Sequence, residues 1–201
     1  IKSCYTALAM QKALNELRMK WRKENDWPDI VYSMQHRIGL NCGPMVTGNM
    51  GSEMRMNYTM MGDTVNLAAR LESSAKQYGV YNFVGENIYE AAKSQFAFRF
   101  LDFVQVKGKN IPVKVYELVS DKDEILNDNI NLIKLFEEGI DYYFKQDWEM
   151  ALNKFKESEY HEDKFESRNT TPSQIYIERC NMFLDNPPEQ DWDGVWRMTS
   201  K

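Results

Sequence analysis

Hydrophobic residues repeat at every second position in three stretches of this chain, and after residue 124 that period never returns. Met34, His36, Ile38 and Leu40 alternate with Gln35, Arg37, Gly39 and Asn41. Phe96, Phe98, Phe100, Val104 and Val106 carry the same period, and Val113–Val119 can return as a partner strand after the turn Lys107-Gly108-Lys109-Asn110. His36 falls on the apolar face of its stretch, where packing is its expected role. Past Ser120-Asp121-Lys122-Asp123-Glu124 the spacing turns helical: Leu132, Leu135, Phe136, Ile140 and Tyr143, then Trp148, Ala151, Leu152 and Phe155 after Gln146-Asp147. Two units are expected, 1–119 and 120–201, the first mixing strands with helices and the second all helical. Charge divides at nearly the same place, with 15 basic and 11 acidic residues in 1–120 against 10 and 19 in 121–201.

Helices and turns fill in the first unit. Met10, Leu14, Leu17 and Trp21 give residues 2–24 one apolar stripe, and Asn25, Asp26 and Pro28 end that helix. Gly43-Pro44 precedes a short strand at Met45–Thr47. Gly48 and Gly51 flank Asn49-Met50 where backbone freedom is needed, and Met56–Met61 reads as a strand stopped by Gly62. Asp63 is the expected N-cap of a helix through Val65, Leu67, Ala68, Ala69, Leu71 and Ala75, and another helix is expected over about Glu86–Ser94. The fold class is α+β. In the second unit a helical hairpin over 125–160 and a helix at 173–184 are expected; periodicity does not place the tail 189–201, with Trp192 and Trp196.

Composition narrows the function classes. The net charge is −5 and the mean hydropathy −0.61, so neither a nucleic-acid footprint nor a membrane contact is expected in this segment. No apolar run approaches the roughly 18 to 20 residues of a membrane span. Cys4, Cys42 and Cys180 form no CxxC, which suits buried, reduced thiols and a cytoplasmic location, with any membrane anchor of a parent protein lying upstream. The chain opens at Ile1 already in helical register, so the N-terminal strands of the first unit are expected to lie outside it.

Asn66 and Arg70 stand four apart on the helix opening at Asp63, so both side chains project from one face. An amide and a guanidinium so aligned can bracket a phosphate-bearing group, because Arg presents a rigid fork of donors. On spacing alone a solvated helix face explains the pair better. Thr59 on the preceding strand and Lys107 in the turn are similarly ordinary in isolation.

Their surroundings change that reading. Ile38-Gly39-Leu40-Asn41-Cys42-Gly43, Thr47-Gly48-Asn49-Met50-Gly51-Ser52-Glu53 and the run Asn57-Tyr58-Thr59-Met60-Met61-Gly62-Asp63-Thr64-Val65-Asn66-Leu67-Ala68-Ala69-Arg70-Leu71-Glu72 closely resemble the catalytic domain of class III nucleotidyl cyclases. Phe100-Leu101-Asp102, Val106-Lys107-Gly108-Lys109 and Pro112-Val113-Lys114-Val115-Tyr116-Glu117 resemble its closing hairpin. The likeness covers residues 1–119.

The resemblance implies a ferredoxin-like α+β sheet and conversion of ATP to 3′,5′-cyclic AMP and pyrophosphate by a head-to-tail homodimer. Carried over by position, Asn66 orients the ribose, Arg70 stabilises the transferring phosphate, Lys107 holds terminal phosphates and Thr59 lies at the purine. The Thr59 position resembles the bicarbonate-responsive adenylyl cyclases, which favours adenine. Two Mg²⁺ or Mn²⁺ ions are implied, bound by aspartates that lie, with the Lys that partners the Thr, in the half of the domain before residue 2; no metal ligand is expected in this chain, and this chain alone is expected to be inactive. Met54 and Asn57 depart from the Lys and Asp of many relatives at positions without a catalytic role. Gly139, Tyr142, Ala151 and Phe155 have the spacing of one tetratricopeptide-like repeat, in a C-terminal extension that either caps the cyclase domain or takes a protein partner. The competing readings are a non-catalytic regulatory or interaction subunit with a cyclase fold, and a guanylate cyclase.

Overall fold

The computed structural model describes residues 1–105, 112–163, 168–189 and 192–197. In chain order the elements are α1 (Lys2–Glu24), α2 (Asp29–Tyr32), β1 (Ile38–Leu40), β2 (Val46–Ser52), β3 (Arg55–Met61), α3 (Asp63–Tyr78), β4 (Asn82–Gly85), α4 (Glu86–Ala92), β5 (Phe96–Gln105), β6 (Val113–Asp121), α5 (Asn127–Phe144), α6 (Trp148–Tyr160), α7 (Pro172–Asp185) and β7 (Trp196–Arg197). Five strands form one sheet in the order β1-β4-β6-β5-β7, and β2 with β3 makes a separate antiparallel hairpin. β1 runs parallel to β4, β6 antiparallel to both β4 and β5, and β7 parallel to β5. The class is α+β.

Successive side chains on a strand point to opposite faces, and each face of the sheet has its own cover. On one side Val84, Phe96, Phe98, Tyr116 and Leu118 meet Cys4 and Ala7 of α1 and Ile88 and Ala92 of α4. On the other, Phe83, Leu101, Val104 and Val115 meet Leu67, Leu71, Ala75 and Tyr78 of α3 and continue without a break into Phe136, Tyr143, Trp148, Phe155, Tyr176 and Cys180 of α5 to α7. The boundary expected at 119/120 falls near the end of β6, and the helices that follow share their apolar interior with α3 and the sheet. Burial pushes the Cys180 thiol up to about 12.

Between helices and sheet lies a set of buried charges. Arg99 on β5 donates to Glu117 on β6 (Nε to Oε2, 2.9 Å) and to Glu162 just after α6 (Nη1 to Oε1, 2.6 Å). Glu162 also accepts from Ser173 Oγ at 2.8 Å and pairs with Arg168 at 3.3 Å. Burial works against the Glu162 carboxylate, but the two guanidiniums and Ser173 hold it below its ordinary range.

Local departures from the expected elements have physical causes. The strand expected from Met34 starts only at Ile38, because the Pro28 turn opens into the short helix α2 and the chain needs Ser33–Arg37 to regain the sheet. β2 runs on through Gly48 and Gly51 instead of ending at Thr47; Gly51 (φ 145°) approaches Arg55 so closely that a Cβ would lie 2.0 Å from its carbonyl oxygen. Gly62, and not Asp63, caps α3, and Asp63 is the first helical residue. In β5 a register shift between Phe100 and Asp102 breaks the alternation, so Phe96 and Phe98 face α1 while Leu101 and Val104 face α3. Val106 and the turn after it lie outside the described residues. The apolar stripe of α1 is buried only at Cys4 and Ala7; Met10 and Leu17 further along are exposed. The tail, unplaced by periodicity, returns to the sheet as β7 beside Val104 and Gln105.

Candidate active site

α3 is the element on which the expected residues depend. Its buried positions Leu67, Leu71, Ala75 and Tyr78 recur at helical spacing, which locks one face in the core and turns the opposite face outward. Asn66 and Arg70 both fall on the outward face, one turn apart, and both are exposed. The helix sits directly on β1: a Cβ at Gly39 would lie 2.3 Å from the Ala68 carbonyl oxygen and 2.5 Å from the Glu72 nitrogen, so only glycine permits this approach. At its start, Asn41 Nδ2 donates to the Thr64 carbonyl oxygen (3.2 Å), and Asn87 Nδ2 donates to the Cys42 carbonyl oxygen (3.0 Å), which ties the loop after β1 to both α3 and α4. The first turn of α3 is thus linked to the loop after β1 while its polar face stays open.

Thr59 lies in β3 opposite Gly48 of β2, exposed, and the strand that carries it passes through Gly62 (φ 147°) into α3. The structure therefore places Thr59, Asn66 and Arg70 on two consecutive elements joined by one residue, all facing out. Lys107 lies outside the described residues, between β5 and β6. Among the described residues, no group of three or more His, Cys, Asp or Glu side chains is placed to hold a metal ion. The described residues therefore do not fit a metal centre.

The periodicity of the sequence did not single out the surface beside this site. Val46, Met56, Tyr58, Met60 and Met61 of the β2–β3 hairpin are all more than half exposed. Met56, Tyr58 and Met60 share one face of the ribbon, with Met61 and its cross-strand partner Val46 on the other, so both faces expose apolar side chains of the kind found at association surfaces. The density of methionine between Met54 and Met61 was the available signal.

Comparison with known proteins bears on this arrangement. The model of the adenylate and guanylate cyclase catalytic domain matches residues 1–120. The terminal-differentiation-specific adenylate cyclase of Dictyostelium discoideum is 32% identical over 154 residues, covering 74% of this chain and 7% of that protein. Adenylate cyclase 1 of Rhizobium meliloti (strain 1021) is 32% identical over 117 residues, covering 58% of this chain and 17% of the relative. Among solved structures, the adenylyl cyclase CyaB from P. aeruginosa aligns with a TM-score of 0.48 and 30% identity, over 59% of this chain and 58% of that one. The chain thus spans less than a fifth of the length of these two curated relatives. Because the family model covers more than half of the chain, the protein belongs to the family of adenylate and guanylate cyclase catalytic domains.

Proposed function

We propose that this chain supplies one half-site of an adenylate cyclase that converts ATP to 3′,5′-cyclic AMP and pyrophosphate as a head-to-tail homodimer. The observation that carries the proposal is the pairing of Asn66 and Arg70 on the open face of a helix whose other face is fixed in the core. In the reaction the ribose 3′ oxygen attacks the α-phosphorus and the bond to pyrophosphate breaks. Negative charge then gathers on the phosphoryl oxygens and the leaving group. Arg70 offers planar donors, permanently charged, where that charge develops; such donors act most strongly when they need no reorganisation. Asn66 both donates and accepts, as a ribose oxygen with its hydroxyl requires. Lys107 takes the terminal phosphates and Thr59 faces the purine. Mg²⁺ or Mn²⁺ is proposed as the cofactor, where it would neutralise phosphate charge.

The exposed apolar hairpin β2–β3 supports dimerisation, since a dimer would cover it and bring a second protomer over the outward face of α3. The helices of 120–201 are proposed as an extension of the cyclase domain whose tetratricopeptide-like pair, α5 and α6, packs Gly139 against Phe155, where a Cβ would meet the ring at 2.7 Å. No described helix is long and apolar enough to cross a membrane.

The family includes both nucleotide specificities, so the test is product analysis. The full-length protein, incubated with Mg²⁺ or Mn²⁺ and either ATP or GTP, is expected to release cyclic AMP from ATP faster than cyclic GMP from GTP. Faster turnover of GTP would reverse the base assignment and leave the cyclase reading in place. No cyclic product from either would favour a non-catalytic, regulatory role for the fold.

A further inference from the structure

The helical extension grips α3 at the end opposite its start. Tyr78, the last residue of α3, donates its hydroxyl to Asp102 Oδ2 at 2.8 Å, and Arg179 of α7 donates to the same oxygen at 2.8 Å. Asp102 Oδ1 accepts from the Phe103 backbone nitrogen at 2.8 Å, so the carboxylate is itself held still. The Arg179 guanidinium also lies 5.5 Å from the Tyr78 ring and 4.8 Å from the Tyr176 ring. One residue on, Gly79 ends the helix in the left-handed region (φ 64°). Its carbonyl oxygen accepts from Arg168 at 3.0 Å, and a Cβ there would meet the Thr170 carbonyl oxygen at 2.5 Å. Residues of the extension thus reach the end of α3 by three independent routes.

We infer that Arg179 is a positioning residue for the proposed nucleotide site, acting through Asp102 and Tyr78 on the helix that carries Asn66 and Arg70. The lever has a fulcrum. α3 cannot shift bodily where Ala68 and Glu72 press on Gly39, so its remaining freedom is tilt about that contact. At about 1.5 Å rise per residue, Tyr78 lies roughly 12 Å from a fulcrum centred at residue 70 and Asn66 roughly 6 Å on the other side. A displacement of about 2 Å at Tyr78 therefore moves Asn66 by about 1 Å, and a misplacement of that size can cost up to about 10²-fold in rate. The extension sets the geometry of the site without touching nucleotide.

This inference rests on the cyclase reading, and the experiment separates the two. Tyr78→Phe removes only the hydroxyl and leaves Asp102 paired with Arg179, so the variant keeps its buried charges balanced. Arg179→Met breaks the pair, and Arg179→Lys restores a cation. Turnover of ATP by the full-length dimer and amide hydrogen exchange along the chain are measured for each. Tyr78→Phe is expected to speed exchange in α3 while leaving β4 and β6 as in the parent; Arg179→Met, which strands the buried Asp102 carboxylate, is expected to speed exchange in α3 and in the neighbouring strands as well. kcat is expected to fall about 10-fold with KM within about twofold, because Asn66 and Arg70 act in the transition state. Arg179→Lys is expected to recover part of kcat. Unchanged exchange in α3 for Tyr78→Phe would overturn the inference, whatever kcat does. So would altered exchange together with parental kcat. If the parent makes no cyclic nucleotide, the cyclase reading falls, and the exchange data alone still decide whether the extension positions α3.

Discussion

At the scale of single residues, the strongest interactions are ones that neither periodicity nor motif revealed. Arg99 stands among Phe96, Phe98 and Phe100, where a charged residue on a strand reads as an outward-facing position. In the structure it is fully buried, stacked 4.7 Å from the Phe136 ring and paired with Glu117 and Glu162. Nothing local could announce this, because Glu162 is 63 residues away and arrives only when the helices pack. Loss of the Glu162 charge leaves the buried Arg99 with Glu117 alone and takes the same carboxylate from Arg168. Glu162→Gln is therefore expected to cost about 3 kcal/mol at neutral pH, read by denaturant unfolding. The pH dependence follows from the direction of the shift. The folded carboxylate sits below its ordinary 4.5, so its contribution is complete above that value and is lost as pH falls through the folded one. The parent should lose this stability below about pH 4.5, and Glu162→Gln should lack that part of the acid transition. Asp102 runs in the opposite sense: burial raises it above 3.8, so its ionisation weakens the fold as pH rises past that value, an effect shared by parent and variant.

At the scale of elements, long periodic segments were readable and short or interrupted ones were not. The helix expected over 2–24 is α1 at Lys2–Glu24, and the pair expected over 125–160 is α5 and α6. The strand from Phe96 was readable too, but the bulge near Leu101 was not, since it depends on how β6 pairs and leaves no mark in the alternation. The tail is the clearest case. Two residues of β7 make a strand only because β5 presents an open edge at Val104 and Gln105, a partner more than 90 residues earlier. Trp192 secures that return by entering a cluster with Tyr143 (5.4 Å), Trp148 (5.4 Å) and Phe183 (5.5 Å). Trp192→Ala is expected to destabilise the protein by about 2–3 kcal/mol, somewhat less than loss of a fully buried Trp, with a lower thermal midpoint. A midpoint equal to that of the parent would show that the tail is an ornament on the helices and not part of the core.

At the scale of the whole molecule, three of the four candidate-site residues are close in sequence, and the fourth, Lys107, lies outside the described residues. Thr59, Asn66 and Arg70 lie on one strand–glycine–helix segment, so the local text around them carries the resemblance and the structure needs only to turn one face of α3 outward. What surrounds the site is non-local and was not legible: the continuous interior linking α3 to α5, α6 and α7, and the contacts of Arg168, Thr170 and Arg179 with the end of α3. The molecule therefore joins an exposed polar helix face to a deeply anchored helix end, an arrangement suited to holding donors rigidly where charge develops. The most direct measurement is cyclic nucleotide production by the full-length protein carrying Asn66→Ala or Arg70→Ala, beside a thermal melt of each. Both side chains are exposed, so the melts should match the parent while turnover falls by about 10² to 10³; activity within a few-fold of the parent for both variants would return Asn66 and Arg70 to a solvated helix face and contradict the assignment.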